Sequence, residues 1–449
     1  MAYQRQLRGM ELLYCLYDMC CPLNISMILG IEGRVSSVMV REALDSIQAL
    51  HWQLRAVIDP DKCFAVRLTD SYRKIPLKIL PLDETEISQC LEQELEERFT
   101  IEDAPLARCL FLWDRSNGSR LILTLHHSLF DGFSARQLAF EVAALLGAPE
   151  SGSTHTSNQV STSIEDCAEA YFPEKCKGVL ATGRGLRRIV AQGLRRTFQH
   201  RAGEVGAITE VDNAGWRPGV LLTELDEKCV SRVRNTARML GTTVHGALCA
   251  AQLLSAGQSV GLRFPHALAT STAVDLRPYL LPEVRERIGA LFSAVITEHR
   301  ITSSSTLWPL AVEIKSAIAT ALAREEHIRA LPLVDAALRL LLMLNGRAKQ
   351  SCNWLMKLSE LAVAPHLMVS NIGPVPQMAD VPGVRVVAAS FVVGGPPDWH
   401  FGSTATTFGG RLYWNFVYNK AAIESKLAEE IAKRSITLLS SDQASFSQR

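Results

Sequence analysis

Apolar and polar residues alternate in several stretches of the first third of the chain. Residues 23–34, LNISMILGIEGR, alternate with the two-residue period of a strand and end at a turn signal. Residues 35–51 repeat apolar side chains at three- and four-residue intervals, which predicts a helix. Three further strands are predicted where β-favouring side chains cluster, at residues 54–58, 108–113 and 120–125.

The second half of the chain contains the same mixture of helical and strand periods. Thr242 or Thr243 is a candidate cap for a helix that runs to Ser255. Strands are predicted at residues 264–273, 291–298, 365–370, 384–393 and 411–417. Helices are predicted at residues 307–324, 328–344 and 421–439. Both parts of the chain therefore have α+β character.

The region between these two parts has a different composition. Residues 149–163 are rich in Ser, Thr, Gly and Asn and lack periodic apolar side chains, as linkers do. We predict three units along the chain. They are an N-terminal subdomain at 1–148, a polar linker with a basic segment at 149–215, and a C-terminal subdomain at 216–449.

The basic segment, residues 175–201, carries eight Lys or Arg residues and no Asp or Glu. One interpretation is a solvated helix face beside the linker. The other is an electropositive patch that steers an anionic acyl donor or contacts an anionic membrane surface.

Composition narrows the class of protein. A chain of 449 residues suits two domains, and 47% hydrophobic with 21% charged residues is typical of a soluble globular protein. A net charge of +1 argues against a nucleic-acid binder. The 11 cysteines include no C-x-x-C pair, which predicts mostly free thiols. We find no signal-peptide or membrane-spanning pattern, and we expect a cytoplasmic monomer.

Two adjacent histidines follow the predicted strand at 120–125, in the motif HHSLFDG from His126 to Gly132. A metal site needs at least three ligands, and the chain offers no second cluster of spaced His, Cys or Asp residues. A hydrogen-bonded structural pair stays open, since polar groups at the end of a buried strand need partners. The catalytic interpretation gives the motif a chemical role, because a neutral imidazole accepts a proton from an alcohol or amine.

The residues after the histidines fit the catalytic interpretation. Asp131 either orients a histidine or pairs with a distant arginine. Gly132 permits a close backbone approach or a positive φ. Ser134 and Gln137 form an S-x-x-Q capping box, which predicts the start of a helix.

The motif resembles the HHxxxDG signature of the chloramphenicol acetyltransferase-like superfamily. That group includes condensation domains of nonribosomal peptide synthetases, BAHD acyltransferases, alcohol acetyltransferases and polyketide-associated acyltransferases. Further segments are similar to the family along nearly the whole chain: HWQLRAVI at 51–58, TAVDLRPYL at 272–280, SNIGPVP at 370–376 and RLYWNFVYN at 411–419. The DFGWG box of the plant BAHD enzymes is missing, and residues 398–402 resemble it only superficially.

The resemblance implies a fold of two chloramphenicol acetyltransferase-like subdomains that form a V around a central substrate tunnel. It also implies roles for the residues of the motif. His127 would be the general base and His126 a support for it. Asp131 would be structural and would pair with Arg277.

The resemblance further implies residues that contact the substrates. The backbone N–H of Gly132 and the side chains of Ser370 and Asn371 are candidate donors to a tetrahedral oxyanion. Trp399 and Trp414 fall in segments that resemble tunnel-side strands, although scattered aromatic residues are more often core.

The implied function is a stand-alone acyltransferase of natural-product or lipid biosynthesis that forms esters. Its co-substrate would be acyl-CoA or a phosphopantetheinyl acyl carrier protein, its acceptor a small alcohol or amine, and no cofactor would be bound. A free-standing condensation enzyme that forms amides and a catalytically inactive binding module are alternatives. The spacing of His126 and Asp131 also matches glycerolipid acyltransferases, but their Pro-Glu-Gly motif is missing here.

Overall fold

The computed structural model describes residues 5–69, 72–114, 118–146, 164–173, 215–259, 266–284, 286–345, 367–377, 382–395 and 400–441. Three features singled out from the sequence lie outside these ranges. They are the linker at 149–163, the basic segment at 175–201, and Trp399.

The described residues contain both helices and strands, which confirms the predicted α+β class. The helices are α1 Gly9–Asp18, α2 Ser37–Leu50, α3 Ile87–Glu96, α4 Gly132–Leu146, α5 Glu227–Met239, α6 Val244–Ser259, α7 Leu307–Ala323, α8 Glu326–Arg329, α9 Leu331–Asn345 and α10 Ser425–Ser440. None of the helices in the described part of the chain is both long and apolar enough to cross a membrane.

The strands divide among three sheets. They are β1 Arg5–Gln6, β2 Asn24–Gly33, β3 Ala56–Asp59, β4 Ala65–Leu68, β5 Leu77–Pro81, β6 Ala107–Trp113, β7 Gly118–His126, β8 Pro218–Leu221, β9 Glu224–Leu225, β10 His266–Asp275, β11 Phe292–Ile301, β12 Leu367–Pro374, β13 Val384–Val393, β14 Phe401–Phe408 and β15 Arg411–Asn419. The smallest sheet has the order β1-β4-β3.

A five-stranded sheet in the order β13-β2-β7-β6-β5 carries the histidine motif. β2 and β7 run antiparallel with Asn24 opposite His126, so the motif begins where β7 ends. The two-residue period of β2 places Ile25, Met27 and Leu29 on one face, where each is at most 1% exposed. Apolar side chains of α2 and α4 belong to the same core and cover this face.

A second large sheet belongs to the C-terminal half. Its order is β11-β10-β12-β14-β15-β8, and the short β9 also pairs with β15. Apolar residues of α6, α7 and α10 pack on one face of this sheet and form a separate core with Trp414 and Phe416. Each half of the chain therefore has its own sheet and its own helical cover.

One strand of the C-terminal half belongs to the N-terminal sheet. β13 pairs antiparallel with β2 from Val384 opposite Gly33 to Val393 opposite Ile25. Two polar side chains of the other sheet hold this strand, because Thr404 Oγ1 and Asn415 Nδ2 both donate to the carbonyl of Phe391. The N-terminal sheet is therefore completed by residues that lie far along the chain.

Two predicted elements differ from the observed ones. The strand predicted at 54–58 begins later, because Trp52–Arg55 form a 3-10 turn before β3. The helix predicted at 328–344 is divided into α8 and α9, since Pro332 lacks the N–H that a continuous helix would need.

The cysteines follow the prediction with one exception. Cys20 is disulfide-bonded, which a prediction of mostly free thiols allows. The free cysteines of the described ranges are Cys15, Cys21, Cys63, Cys90, Cys109, Cys167, Cys229 and Cys249.

The contribution of β13 to the N-terminal core predicts a stability effect. Phe391 is 2% exposed and packs in that core, so Phe391→Ala should lower the free energy of unfolding by about 3–5 kcal/mol. Urea unfolding followed by fluorescence measures this loss. Val38→Ala, at a position 62% exposed, is the control and should change stability by less than about 0.5 kcal/mol. A similar small loss in both variants would contradict the role of β13.

Candidate active site

The motif occupies the loop between β7 and α4. Backbone hydrogen bonds hold this loop against its neighbours: His127 N donates to Leu23 O at 2.9 Å, and Leu129 N donates to His126 O at 3.2 Å. The side chains of the loop are therefore presented from a fixed backbone at the end of a buried strand.

His127 is buried, and its ring has a defined orientation. Its Nδ1 lies 2.8 Å from the carbonyl oxygen of Phe130. Because a carbonyl only accepts, Nδ1 carries the proton and the Nε2 of the neutral ring keeps its lone pair. The ring stacks on Phe292 with centroids 4.9 Å apart, and Tyr14 meets it edge-on at 4.7 Å.

The surroundings of His127 favour its neutral form. Burial among Tyr14, Phe292 and the strand ends lowers its pKa from 6.5 to about 4, and the carbonyl of Phe130 and the charge of Asp131 only partly oppose this effect. At neutral pH the ring is therefore an unprotonated base with Nε2 as its proton acceptor.

His126 lies in a different environment from His127. It is fully buried and is not among the residues that line the cavity. Its Nδ1 accepts from the hydroxyl of Ser128 at 2.7 Å and from the N–H of Ser128 at 3.2 Å. Its Nε2 lies 3.5 Å from a carboxylate oxygen of Asp18 in α1. These contacts connect the loop to the first helix.

Asp131 and Arg277 form a bidentate ion pair between the two halves. Arg277 Nη1 lies 2.7 Å from Oδ2 of Asp131, and Nη2 lies 3.2 Å from Oδ1. Both side chains are buried, with exposures of 5% and 3%. Burial alone would raise the pKa of Asp131, but the guanidinium and the donors of Ser134 hold it below its usual value.

The remaining groups of the pair are also hydrogen-bonded. Leu291 N donates to Oδ2 of Asp131 at 3.0 Å, just before β11 begins. The guanidinium of Arg277 also donates to Asp275 and to the carbonyl of Arg287. The pair therefore fixes the motif loop, the start of β11 and the segment after β10 together.

Asp131 also caps α4, which differs from the capping box predicted at Ser134 and Gln137. Oδ1 of Asp131 accepts from the N–H of Ser134 at 2.8 Å and from its hydroxyl at 2.7 Å. The helix consequently starts at Gly132, before Ser134. Gln137 instead donates to Glu141 one turn later.

A cavity of about 170 Å³ lies between the two halves, beside His127. Its lining residues come from both halves: Tyr14, Ile25, His127, Asp131, Gly132, Phe133 and Arg136 from the first, and Ala273, Val274, Asp275, Arg277, Phe292, Met368, Ser370, Asn371, Ile372, Phe391 and Val393 from the second. The structure thus brings His127, Asp131, Gly132, Arg277, Ser370 and Asn371 to one cavity.

Gly132 lies close to Ile372, and both residues line the cavity. A Cβ at Gly132 would lie 3.0 Å from Cγ2 of Ile372, so the close approach explains the glycine without a positive φ. Beside Ile372, Asn371 Oδ1 accepts from Gly373 N at 2.8 Å, at a bulge in β12. This contact orients the amide so that its Nδ2 remains a donor.

Trp414 does not reach the cavity. It is fully buried in the C-terminal core and packs against Phe416, with ring centroids 4.9 Å apart. Alternation along β15 places Trp414 and Phe416 on the helix-covered face, whereas Asn415 on the other face reaches Phe391. The predicted substrate contact at Trp414 is therefore wrong.

Sequence reasoning did not assign cavity positions to Tyr14, Phe292, Phe391 and Arg136. The first three are apolar positions whose periodicity indicates only burial. Arg136 follows the motif by one helical turn, and its spacing of four from Gly132 is the signal that would have placed it on the same face.

Comparisons with known proteins find similar families for both halves of the chain. A model of the condensation domain matches residues 19–171, and a model of the phthiocerol/phthiodiolone dimycocerosyl transferase C-terminus matches residues 215–413. The chain is 34% identical over 137 residues to the phosphinothricin tripeptide synthetase PhsC of Streptomyces viridochromogenes. That match covers 29% of this chain and 12% of the relative, so the chain spans about an eighth of its length.

Solved structures share the fold over nearly the whole chain. Trichothecene 15-O-acetyltransferase from Fusarium sporotrichioides has a TM-score of 0.72 at 12% identity, with 97% of this chain and 94% of that chain covered. Polyketide synthase associated protein 5 from Mycobacterium tuberculosis has a TM-score of 0.63 at 18% identity, with 97% and 98% covered. The first condensation domain of the calcium-dependent antibiotic synthetase has a TM-score of 0.70 at 13% identity, with 97% and 95% covered.

The fold and the motif define a two-subdomain protein of the condensation and acyltransferase class. The chain thus has the fold of the chloramphenicol acetyltransferase-like superfamily, and its two parts match models of a condensation domain and of a transferase C-terminus.

The buried ion pair predicts a large stability effect. Arg277→Ala leaves Asp131 as an unpaired buried charge, so it should lower the free energy of unfolding by about 3–5 kcal/mol, as should Asp131→Ala. Arg411→Ala is the matched control, because its pair with Glu224 is exposed and should contribute at most about 1 kcal/mol. Chemical denaturation compares the three variants. Equal losses of unfolding free energy for Arg277→Ala and Arg411→Ala would contradict the structural role of the buried pair.

Proposed function

We propose that the chain is an acyltransferase that moves an acyl group from a thioester to the hydroxyl of a small alcohol. The observation that carries this proposal is His127, which lines a cavity between the two halves and whose Nδ1 contact with Phe130 leaves Nε2 unprotonated. Such a cavity can hold a thioester carbonyl and an acceptor together, which makes attack effectively intramolecular.

The acceptor's O–H proton passes to Nε2 of His127 as its oxygen attacks the thioester carbonyl. A tetrahedral oxyanion forms, the C–S bond then breaks, and the leaving thiolate takes the proton back from the imidazolium. The stack on Phe292 and the bond from Nδ1 to Phe130 keep the ring in position throughout. The thioester supplies the activated acyl group, so this chemistry needs no bound cofactor.

The oxyanion needs hydrogen-bond donors in the same cavity. Asn371 is the best candidate, since its Oδ1 is engaged by Gly373 and its Nδ2 is left to donate. The hydroxyl of Ser370 and the N–H of Gly132 line the same space. Removing one donor of this kind typically costs about 10²–10³ in kcat.

A second candidate function is amide formation by attack of an amine on a carrier-bound thioester. The match to the condensation-domain model and to part of a tripeptide synthetase supports it. The donor is proposed to be acyl-CoA or an acyl carrier protein. The match to the model of the dimycocerosyl transferase C-terminus supports the first function, ester formation.

Both functions are tested by incubating the purified chain with short and medium acyl-CoA thioesters and with panels of alcohols and amines. Mass spectrometry identifies the products. Ester products support the first function and amides the second. Repeating the assay with the same acyl groups on a carrier protein identifies the donor. No product with any pair of substrates would overturn the transferase proposal.

His127→Ala should reduce kcat/KM by about 10²–10⁴ while leaving the fold intact, because the side chain supplies the base and few structural hydrogen bonds. Steady-state kinetics and thermal unfolding are measured together. His266→Ala, outside the cavity at the start of β10, serves as the control and should keep full activity. Turnover within about tenfold of the wild type would exclude His127 as the base.

The lowered pKa of His127 predicts the pH profile. Transfer requires the neutral imidazole, so activity is lost as the pH falls through the folded-state pKa of about 4 rather than through 6.5. The kcat/KM of the free enzyme should stay level from pH 8 to about pH 5. Circular dichroism at each pH separates acid unfolding from titration. An inflection near pH 6.5 in folded protein would contradict this assignment.

A further inference from the structure

Arg136 lies in the cavity wall with His127 and has no role in the acyl-transfer steps above. It follows Gly132 by one turn of α4 and faces the same space. Its guanidinium lies over the ring of Phe133, 4.5 Å from the centroid, and the guanidinium of Arg277 lies over the same ring at 4.1 Å. The aromatic ring thus holds Arg136 in position at the cavity.

In the part of the chain that the structure describes, Arg136 has no carboxylate as an ion-pair partner. The two carboxylates that line the cavity, Asp131 and Asp275, both pair with Arg277. Among the residues that the structure describes, none forms a hydrogen bond or an ion pair with Arg136. Burial and the nearby charge of Arg277 lower the pKa of Arg136, and the charges of Asp275 and Asp131 oppose this effect only in part. An arginine nevertheless stays protonated at neutral pH. An unpaired, partly desolvated cation is costly unless a ligand brings the opposite charge.

We infer that Arg136 binds a carboxylate of a substrate, close to the reacting atoms. This inference rests on the proposed transferase function and adds the class of substrate. A planar guanidinium binds a carboxylate through two parallel hydrogen bonds.

The position of Arg136 argues against the phosphates of the donor. Both Arg136 and His127 line a cavity of about 170 Å³. The whole pantetheine arm separates the nearest phosphate from the thioester, so this phosphate lies outside such a cavity when the carbonyl is at His127. A carboxylate of the acceptor, or of a dicarboxylic acyl group, is close enough to the reacting atoms to reach Arg136.

Ligand-observed NMR of benzoate binding tests the inference without any turnover. Arg136→Gln should weaken benzoate binding at least about tenfold, and Arg136→Lys should retain part of it. Arg73→Gln is the matched control, since Arg73 is exposed and pairs with Asp103. Equal binding by the wild type and Arg136→Gln, or no binding by either, overturns the inference. Arginine-dependent binding without acyl transfer would overturn only the proposed function.

Kinetics with matched substrates identifies the source of the carboxylate. 3-Hydroxybutyrate and its methyl ester form the acceptor pair, and succinyl-CoA and butyryl-CoA form the donor pair. Arg136→Gln should lower kcat/KM about 10- to 100-fold for the charged member of one pair and less than about twofold for its neutral partner. Equal losses within both pairs overturn the inference. A KM that rises for acyl-CoA but not for S-acyl-pantetheine, which lacks the phosphate, assigns Arg136 to the phosphate and also overturns it.

Discussion

The ion pair between Asp131 and Arg277 is the interaction on which the geometry of the site depends. Its carboxylate caps α4 through Ser134 and accepts from Leu291 at the start of β11, while its guanidinium comes from the other half of the chain. Both charges are buried, so separating them would leave each without a partner at high cost. Folding lowers the pKa of Asp131, so the pair stabilises the protein at pH values above the unfolded-state pKa of this carboxyl. The stabilisation is lost as the pH falls through its folded-state pKa.

Packing around this pair sets the chemistry of the histidine. The rings of Tyr14 and Phe292 exclude water from His127, which keeps the imidazole neutral, and the carbonyl of Phe130 selects the tautomer. Phe292 comes from β11, whose start is held by Asp131. The buried ion pair therefore also determines how the second half of the chain encloses the base.

The elements with a strong period were predictable from the sequence. β2, β7 and β13 lie within a residue or two of their predicted bounds, because alternation or a cluster of β-favouring side chains marks each of them in the sequence. The prediction was less accurate where a local pattern had two meanings. Ser134 and Gln137 match a capping box, yet Asp131 is the stronger cap because its carboxylate is already fixed by Arg277. The same holds for Trp414. The sequence does not show which face of β15 the helices cover, and Trp414 lies on that covered face.

By itself the sequence determined the resemblance to the superfamily, the α+β class and the motif from His126 to Gly132, because these depend on residue types at short, regular spacings. Only the tertiary structure decided which face of each strand meets the cavity, that β13 completes the sheet of the other half, and that both carboxylates of the cavity wall pair with Arg277 and not with Arg136. Those outcomes depend on contacts between residues far apart in the chain. Periodicity reports that a side chain is buried, but it does not report what that side chain is buried against.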